Sequence, residues 1–313
     1  MTAPLRPMST GELLDRTFNL YRNNFLLFVG IATVPPALML AAQLIRAGVV
    51  AAPGHPSTVG AGIMAAGGIG MIVAVIAYII GMAVAQAATV FAVSAVHLGR
   101  PTTIAESYGR VKGRYGRVLW VIFQAGLRAF LPSMLLIIVA AVAMPLAIKG
   151  LGRAAGAVAA IILGLAMIVA VIAAFVLYLR YSLAVPACIL EDIKATAAIN
   201  RSVSLSVGSR GRIFVIYFLM IVINYIVLFL FMIPAGLLAA LMAKGSPAVA
   251  TLFTGLAGFL AGTLAGPIAT IALSLVYYDQ RVRKEAFDIQ LMVAVLDGTL
   301  PAAGAQPAGV GAG

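Results

Sequence analysis

Six long apolar runs, separated by short polar segments, set the pattern of this chain. They cover approximately residues 25–46, 71–96, 118–147, 156–184, 213–243 and 249–277, and none contains an aspartate or glutamate. A helix of about 20 apolar residues matches the roughly 30 Å hydrocarbon thickness of a bilayer. The pattern therefore predicts an all-α integral membrane six-helix bundle. The first 24 residues hold Arg6, Glu12, Asp15, Arg16 and Arg22, and no small-residue cleavage site follows a short apolar core. The first run is expected to be retained as a signal anchor.

The polar segments before the first, third and fifth runs share a form. Ser9–Asn24 places Leu13, Leu14, Thr17, Phe18 and Tyr21 on one helical face, with Ser9 and Glu12 spaced as a capping box. Ile104–Arg117 and Ala198–Arg212 follow the same plan, and each ends in a Gly-Arg step, at 116–117 and 211–212, into an apolar run. Asn24, Arg117 and Arg212, where the runs begin, are 93 and 95 residues apart. This spacing predicts three repeats of an amphipathic interfacial helix plus a transmembrane hairpin, at about 9–100, 101–195 and 196–278, within a single membrane domain spanning 1–297. Evenly placed basic loops in any six-span protein would give a similar spacing.

Each repeat disturbs its first span at a similar depth, with Pro35-Pro36, with Arg128 and Pro132, and with Asn224 and Pro234. Proline deletes a backbone hydrogen bond, and in a membrane the freed carbonyl needs a donor from the protein or from water. Bent helices are expected. Gly258, Gly262 and Gly266 form a ladder suited to close helix approach, with Pro267 expected to bend that helix too. Residues 279–297 predict a further helix lying on the membrane, and 298–313, dominated by Ala, Gly and Pro, a disordered tail.

Composition sharpens this picture. Hydrophobic residues make up 63% of the 313 and charged residues 10%, with mean hydropathy +1.11, whereas soluble domains carry about 25% charged residues. Sixteen of the 21 bases and all nine acids fall on one side of the layout; Arg46, Lys149, Arg153 and Lys244 fall on the other, and Arg128 lies within the third run. By the positive-inside rule the richer side, with both termini, is cytoplasmic. The net charge of +12 is thus explained by a membrane, not by nucleic acid, which requires a basic aqueous face with base-reading groups. Spans without carboxylates argue against an ion-coupled pump. A single cysteine, Cys188, excludes an internal disulfide and a thiolate zinc cage.

Arg128 is the sharpest oddity. One reading makes it an anion or headgroup contact, with Gln124 one turn earlier and Asn224 or Gln86 across the bundle; the other lets it snorkel to phosphates from the inner interface, since 129–148 alone supply 20 mostly apolar positions. Arg117, Arg212, Arg281, Arg283 and Lys284 are the remaining candidate lipid or anion contacts, each worth about 1 kcal/mol beside anionic lipid. Glu191 and Asp192 are adjacent, so they diverge, and ion pairing within their loop accounts for them. No GxSxG elbow, P-loop, dinucleotide fingerprint, HExxH or CxxC is present. No catalytic residue, metal or cofactor is expected.

Three segments carry a resemblance. Thr10-Gly11-Glu12-Leu13-Leu14-Asp15-Arg16-Thr17-Phe18, then Pro186 to Glu191 followed by Ala198-Ile199-Asn200-Arg201-Ser202, and above all Tyr277-Tyr278-Asp279-Gln280-Arg281-Val282-Arg283-Lys284-Glu285 resemble the glycerophosphoryl diester phosphodiesterase membrane-domain family. The resemblance covers residues 9–295 and implies a bacterial or archaeal multi-pass protein of the cytoplasmic membrane. In fused members hydrolysis belongs to a separate soluble barrel that uses His pairs and acidic metal ligands. Here only His55 and His97 occur, so a stand-alone membrane domain is expected. Its expected role is non-enzymatic, engaging anionic phospholipid headgroups, a partner membrane protein or a second copy in envelope or lipid homeostasis. The alternative is a transporter or exporter subunit with a polar cavity lined by Gln86, Gln124, Arg128 and Asn224.

Overall fold

The computed structural model describes residues 7–51, 57–150, 152–242 and 246–286. Its helices, in chain order, are α1 (Thr10–Asn23), α2 (Phe25–Ala32), α3 (Val34–Ala51), α4 (Ser57–His97), α5 (Ile104–Val111), α6 (Tyr115–Gly150), α7 (Gly152–Tyr181), α8 (Ala184–Leu190), α9 (Ala195–Ser206), α10 (Arg210–Met242) and α11 (Pro247–Glu285). No strand occurs among the described residues. Among the described residues five helical stretches are long and apolar enough to cross a membrane, and the pair α2 and α3, bent by 43°, makes a sixth if it is one span. The protein is an all-α membrane protein.

Packing divides the chain into two compact units, Met1–Tyr115 with Val215–Gly313, and Gly116–Phe214. The division follows contacts rather than the equal intervals of the sequence. α6 begins at the boundary and α10 crosses it.

In the first unit α11 is central and packs on α1, α2, α3 and α4. Small residues permit this. A Cβ on Gly262 would lie 3.1 Å from Pro36 Cγ, one on Gly258 3.3 Å from Met232 Cε, and one on Gly255 2.9 Å from Leu40 Cδ1. The glycine ladder therefore serves packing within the unit, but it runs 255, 258, 262. Gly266 has nothing within 4 Å of a built Cβ, so the expected last rung is not a contact.

The expected bend of the first span falls at Thr33, just before Pro35-Pro36. Pro35 has no N–H to offer the Ile31 carbonyl four residues earlier. Tyr108 of α5 replaces it, donating its hydroxyl to Ile31 O at 2.7 Å. α6, α10 and α11 carry Pro132, Pro145, Pro234 and Pro267 and remain unbroken.

α1 starts with the expected capping box: Glu12 N–H donates to Ser9 Oγ and Ser9 N–H to Glu12 Oε2. Its buried face is Leu13, Thr17 and Leu20. Phe18, on the apolar face read from the sequence, is 40% exposed, because the contact line on α11 follows the 13–17–20 stripe of a 3.6-residue helix. Tyr21 docks the last turn by donating to Leu264 O at 2.8 Å.

The separate surface helix expected over 279–297 is, for its first seven residues, the end of α11, which continues through Glu285 and stops at left-handed Ala286. Protein contacts explain the continuity: Asp279 and Gln280 are each only 1% exposed. The rest of that segment, the expected tail and His55 lie outside the described residues.

In the second unit Phe130 of α6 meets Tyr178 of α7, centroids 5.7 Å apart. α9 packs on α7 and α8. Ser202 of α9 closes the break between α7 and α8: its hydroxyl donates to Arg180 O at 2.7 Å and accepts from Leu183 N–H at 3.2 Å. Ile161, Ile162, Leu165 and Ile168 of α7 are all more than half exposed. An apolar face of that kind belongs in lipid.

Candidate functional site

The polar residues of the first unit gather where α11 leaves its apolar stretch. Asp279 follows Tyr277 and Tyr278 directly, and burial in protein forces its carboxylate to find donors. It has them. Met8 N–H donates to Oδ1 at 2.7 Å and Arg283 Nε to Oδ2 at 2.9 Å, while Arg283 Nη2 donates to Met8 O at 2.6 Å. This clasp joins the segment before α1 to the end of α11. One turn along, Arg281 pairs with Glu285 at 3.2 Å and lies over the Tyr277 ring.

Beside the clasp stands the end of α4. Gly99, at φ 74°, lets the chain reverse: Arg100 N–H bonds Ala95 O at 2.8 Å and Gly99 N–H bonds Val96 O at 3.1 Å, the paired bonds of a Schellman cap. This cap fixes His97 in the last turn and Arg100 just beyond it. The His97 ring lies 5.2 Å from that of Tyr278, whose hydroxyl donates to Ser94 Oγ at 2.7 Å. His97 is 9% exposed, and neither ring nitrogen has a hydrogen-bond partner.

In the second unit the paired acids after α8 are both ion-paired. Arg201 Nε donates to the two Glu191 oxygens at 2.9 and 3.0 Å, and Arg117 Nη1 pairs with Asp192 Oδ1 at 2.6 Å. Asp192 sits at φ 53°, which turns its carboxylate away from Glu191 and toward α6. The loop pairing expected from sequence is present, with Arg117 as a partner that sequence did not supply. Arg180 Nε is buried without a hydrogen-bond partner.

The predicted contact residues fall into three groups. Arg117, Arg281 and Arg283 are engaged with carboxylates of the protein itself. Arg212 is half-buried and Lys284 exposed. Arg128 is exposed on α6, with no carboxylate partner among the described residues, about 16 Å along the helix from Arg117. Gln124 is half-buried and its Oε1 is buried without a donor. Gln124 and Arg128 belong to the second unit; the exposed Asn224 and half-buried Gln86 belong to the first.

Sequence reasoning missed His97 as a buried ring without a hydrogen-bond partner. The available signal was His97-Leu98-Gly99-Arg100, a helix stop immediately after an imidazole. Among the described residues no three His, Cys, Asp or Glu side chains gather as a metal site. The chain matches no family model, no curated protein and no solved structure.

Proposed function

We propose that this is a non-enzymatic multi-pass protein of a bacterial or archaeal cytoplasmic membrane whose cytoplasmic face engages anionic phospholipid headgroups in envelope or lipid homeostasis. The observation that carries this reading is the pairing of exposed bases with exposed apolar side chains at the span ends. Arg22, in the first unit, lies one turn beyond Phe18 on α1, and Lys112 caps α5, which begins at exposed Ile104; Arg210, in the second, is three residues from Val207. A helix or loop that offers both kinds of side chain suits the boundary between acyl chains and phosphates. The charge asymmetry of the sequence puts these segments on the cytoplasmic side. The resemblance to the glycerophosphoryl diester phosphodiesterase membrane-domain family supports a membrane module of this kind.

The test is lipid retention. Native mass spectrometry of protein released from nanodiscs of mixed phosphatidylglycerol and phosphatidylcholine should show preferential retention of phosphatidylglycerol. Replacing Arg22, Lys112 and Arg210 together by Gln should lower it. Equal retention of both lipids by the unaltered protein would defeat the reading.

A second reading, transport of a small or lipid-like molecule, draws on Gln124, whose buried Oε1 lacks a donor. A Gln124→Cys variant in a Cys188→Ala background would react with a membrane-impermeant maleimide if a water path reached it. Complete protection would count against transport by this route.

A further inference from the structure

We propose that Arg128 and Trp120 of α6 hold one anionic phospholipid at the cytoplasmic edge of the bilayer, its phosphate on the guanidinium and an acyl chain along the helix below. The proposal rests on the headgroup reading and gives it a place and a lipid.

Two bases bracket the apolar part of α6. Arg128 and Lys149 are both exposed, and the 20 residues between them, 129–148, are uncharged. As a helix those residues run about 30 Å, the thickness of the hydrocarbon core. A contact within the second unit marks the same level on α7. Phe130 meets Tyr178 at 5.7 Å, two residues from Arg128 on one helix and two from Arg180 on the other. Ser202 of α9 donates to Arg180 O at 2.7 Å, so α9 docks where α7 ends. Arg128 therefore stands at the rim of the apolar hairpin rather than deep within it.

Trp120, Gln124 and Arg128 follow one i, i+4 ridge of α6, on which successive Cβ atoms are about 5–6 Å apart. Cα–Cβ bonds tilt toward a helix N-terminus, which the charge asymmetry puts on the cytoplasmic side for α6. The guanidinium is thus carried toward Gln124 and Trp120, out of the hydrocarbon. Trp120 is 51% exposed and stacks on Phe123 with centroids 5.4 Å apart. An indole with an apolar ring and a polar N–H suits the headgroup level. Neither Trp120 nor Arg128 makes a hydrogen bond or ion pair among the described residues.

Below the ridge, Leu131, Leu135, Ile138 and Val142 are all exposed. They stand three, seven, ten and fourteen residues after Arg128, positions that return to one face of a 3.6-residue helix. This face offers an acyl chain a continuous apolar track that starts under the guanidinium.

Charge selects the lipid. The second unit holds two acids, Glu191 and Asp192, and they pair with Arg201 and Arg117. A zwitterionic headgroup would bring a cation beside Arg128 with no carboxylate left over to receive it. An anionic headgroup brings only its phosphate, whose oxygens match a guanidinium two at a time, with the indole N–H as a further donor.

Trp120 is the single tryptophan of the chain, so its fluorescence reports this place alone. The protein would be reconstituted in phosphatidylcholine bilayers with rising fractions of phosphatidylglycerol or phosphatidylcholine brominated near the glycerol end of one chain, a quencher that acts at contact range. Brominated phosphatidylglycerol should quench at about fivefold lower fraction, the preference that one base beside anionic lipid supplies. Arg128→Gln should abolish the preference and Arg128→Lys keep most of it, while Lys149→Gln, at the far rim, should leave it unchanged. Both bases are exposed, so these variants keep the fold, which helicity and elution profile check.

Equal quenching by the two brominated lipids, a preference that survives Arg128→Gln, or a Trp120 that neither lipid quenches would overturn the site. Phosphatidylglycerol retention in nanodiscs alongside any of these results would leave the headgroup reading standing without this site.

Discussion

The hydroxyl of Tyr108 donates to the carbonyl of Ile31 at 2.7 Å, across 77 positions of sequence. That carbonyl is the one Pro35 leaves without its helical donor. The bend between α2 and α3 is therefore completed by a side chain from α5, which ties α5 to that pair of helices.

Tyr108→Phe should lower the apparent melting temperature in detergent, reflecting a loss of about 1–3 kcal/mol for a buried acceptor left unsatisfied. Pro35→Ala restores an N–H for Ile31 O, so the double variant should recover part of the loss. A strictly additive double-mutant cycle would mean the two residues do not share this carbonyl.

Alkaline pH tests the same bond. Burial, with a smaller contribution from Tyr115, raises the Tyr108 phenol from 10.0 to about 12, and burial raises Tyr21 as well. A raised folded-state value means the docked phenol keeps its proton while the released one ionises. This contribution is complete below pH 10 and is lost as pH rises from there toward 12. Melting curves taken through that interval should fall more steeply for the unaltered protein than for Tyr108→Phe. Parallel slopes would contradict the assignment.

The clasp at the end of α11 predicts a second sensitivity. The Asp279 side chain is fully buried, and removing a charged acceptor from the Met8 and Arg283 donors costs about 1.5–3 kcal/mol per bond. Asp279→Ala should destabilise most. Asp279→Asn can keep Met8 N–H on Oδ1 but turns an amide donor toward Arg283, so it should also lose stability, by less. Limited proteolysis near Met8 should accelerate in both, and an unchanged cleavage rate would show that the N-terminal segment is held by something else.

Gly262 and Gly266 should part company although they share a ladder in sequence. Gly262→Ala brings a methyl to 3.1 Å from the rigid ring of Pro36, and overpacking of this kind costs about 1–3 kcal/mol. Gly266→Ala meets nothing within 4 Å and gains the helix preference of alanine. Its melting temperature should hold or rise. The reverse order would place the α3–α11 contact elsewhere.

Much of this was legible beforehand. The six apolar runs, the capping box of Ser9 and Glu12, the disturbance at Pro35-Pro36 and the loop pairing of Glu191 follow from local rules of length, spacing and backbone chemistry. The roles of single residues were less legible. Phe18 belongs to the apolar face of α1 and is 40% exposed, because amphipathicity gives a stripe without saying which edge meets protein and which meets lipid. Arg281 and Arg283 looked like free bases beside a membrane, and both have carboxylates of their own.

By itself the sequence determined that the chain is a helical membrane protein, since roughly 20 apolar residues in a row admit few other solutions. It also determined where the charges lie along the chain. Only the tertiary structure decided which charges are spent on one another. Asp279 with Met8, Arg117 with Asp192, and the His97 ring against Tyr278 depend on contacts between residues distant in sequence, and hydropathy carries no information about those.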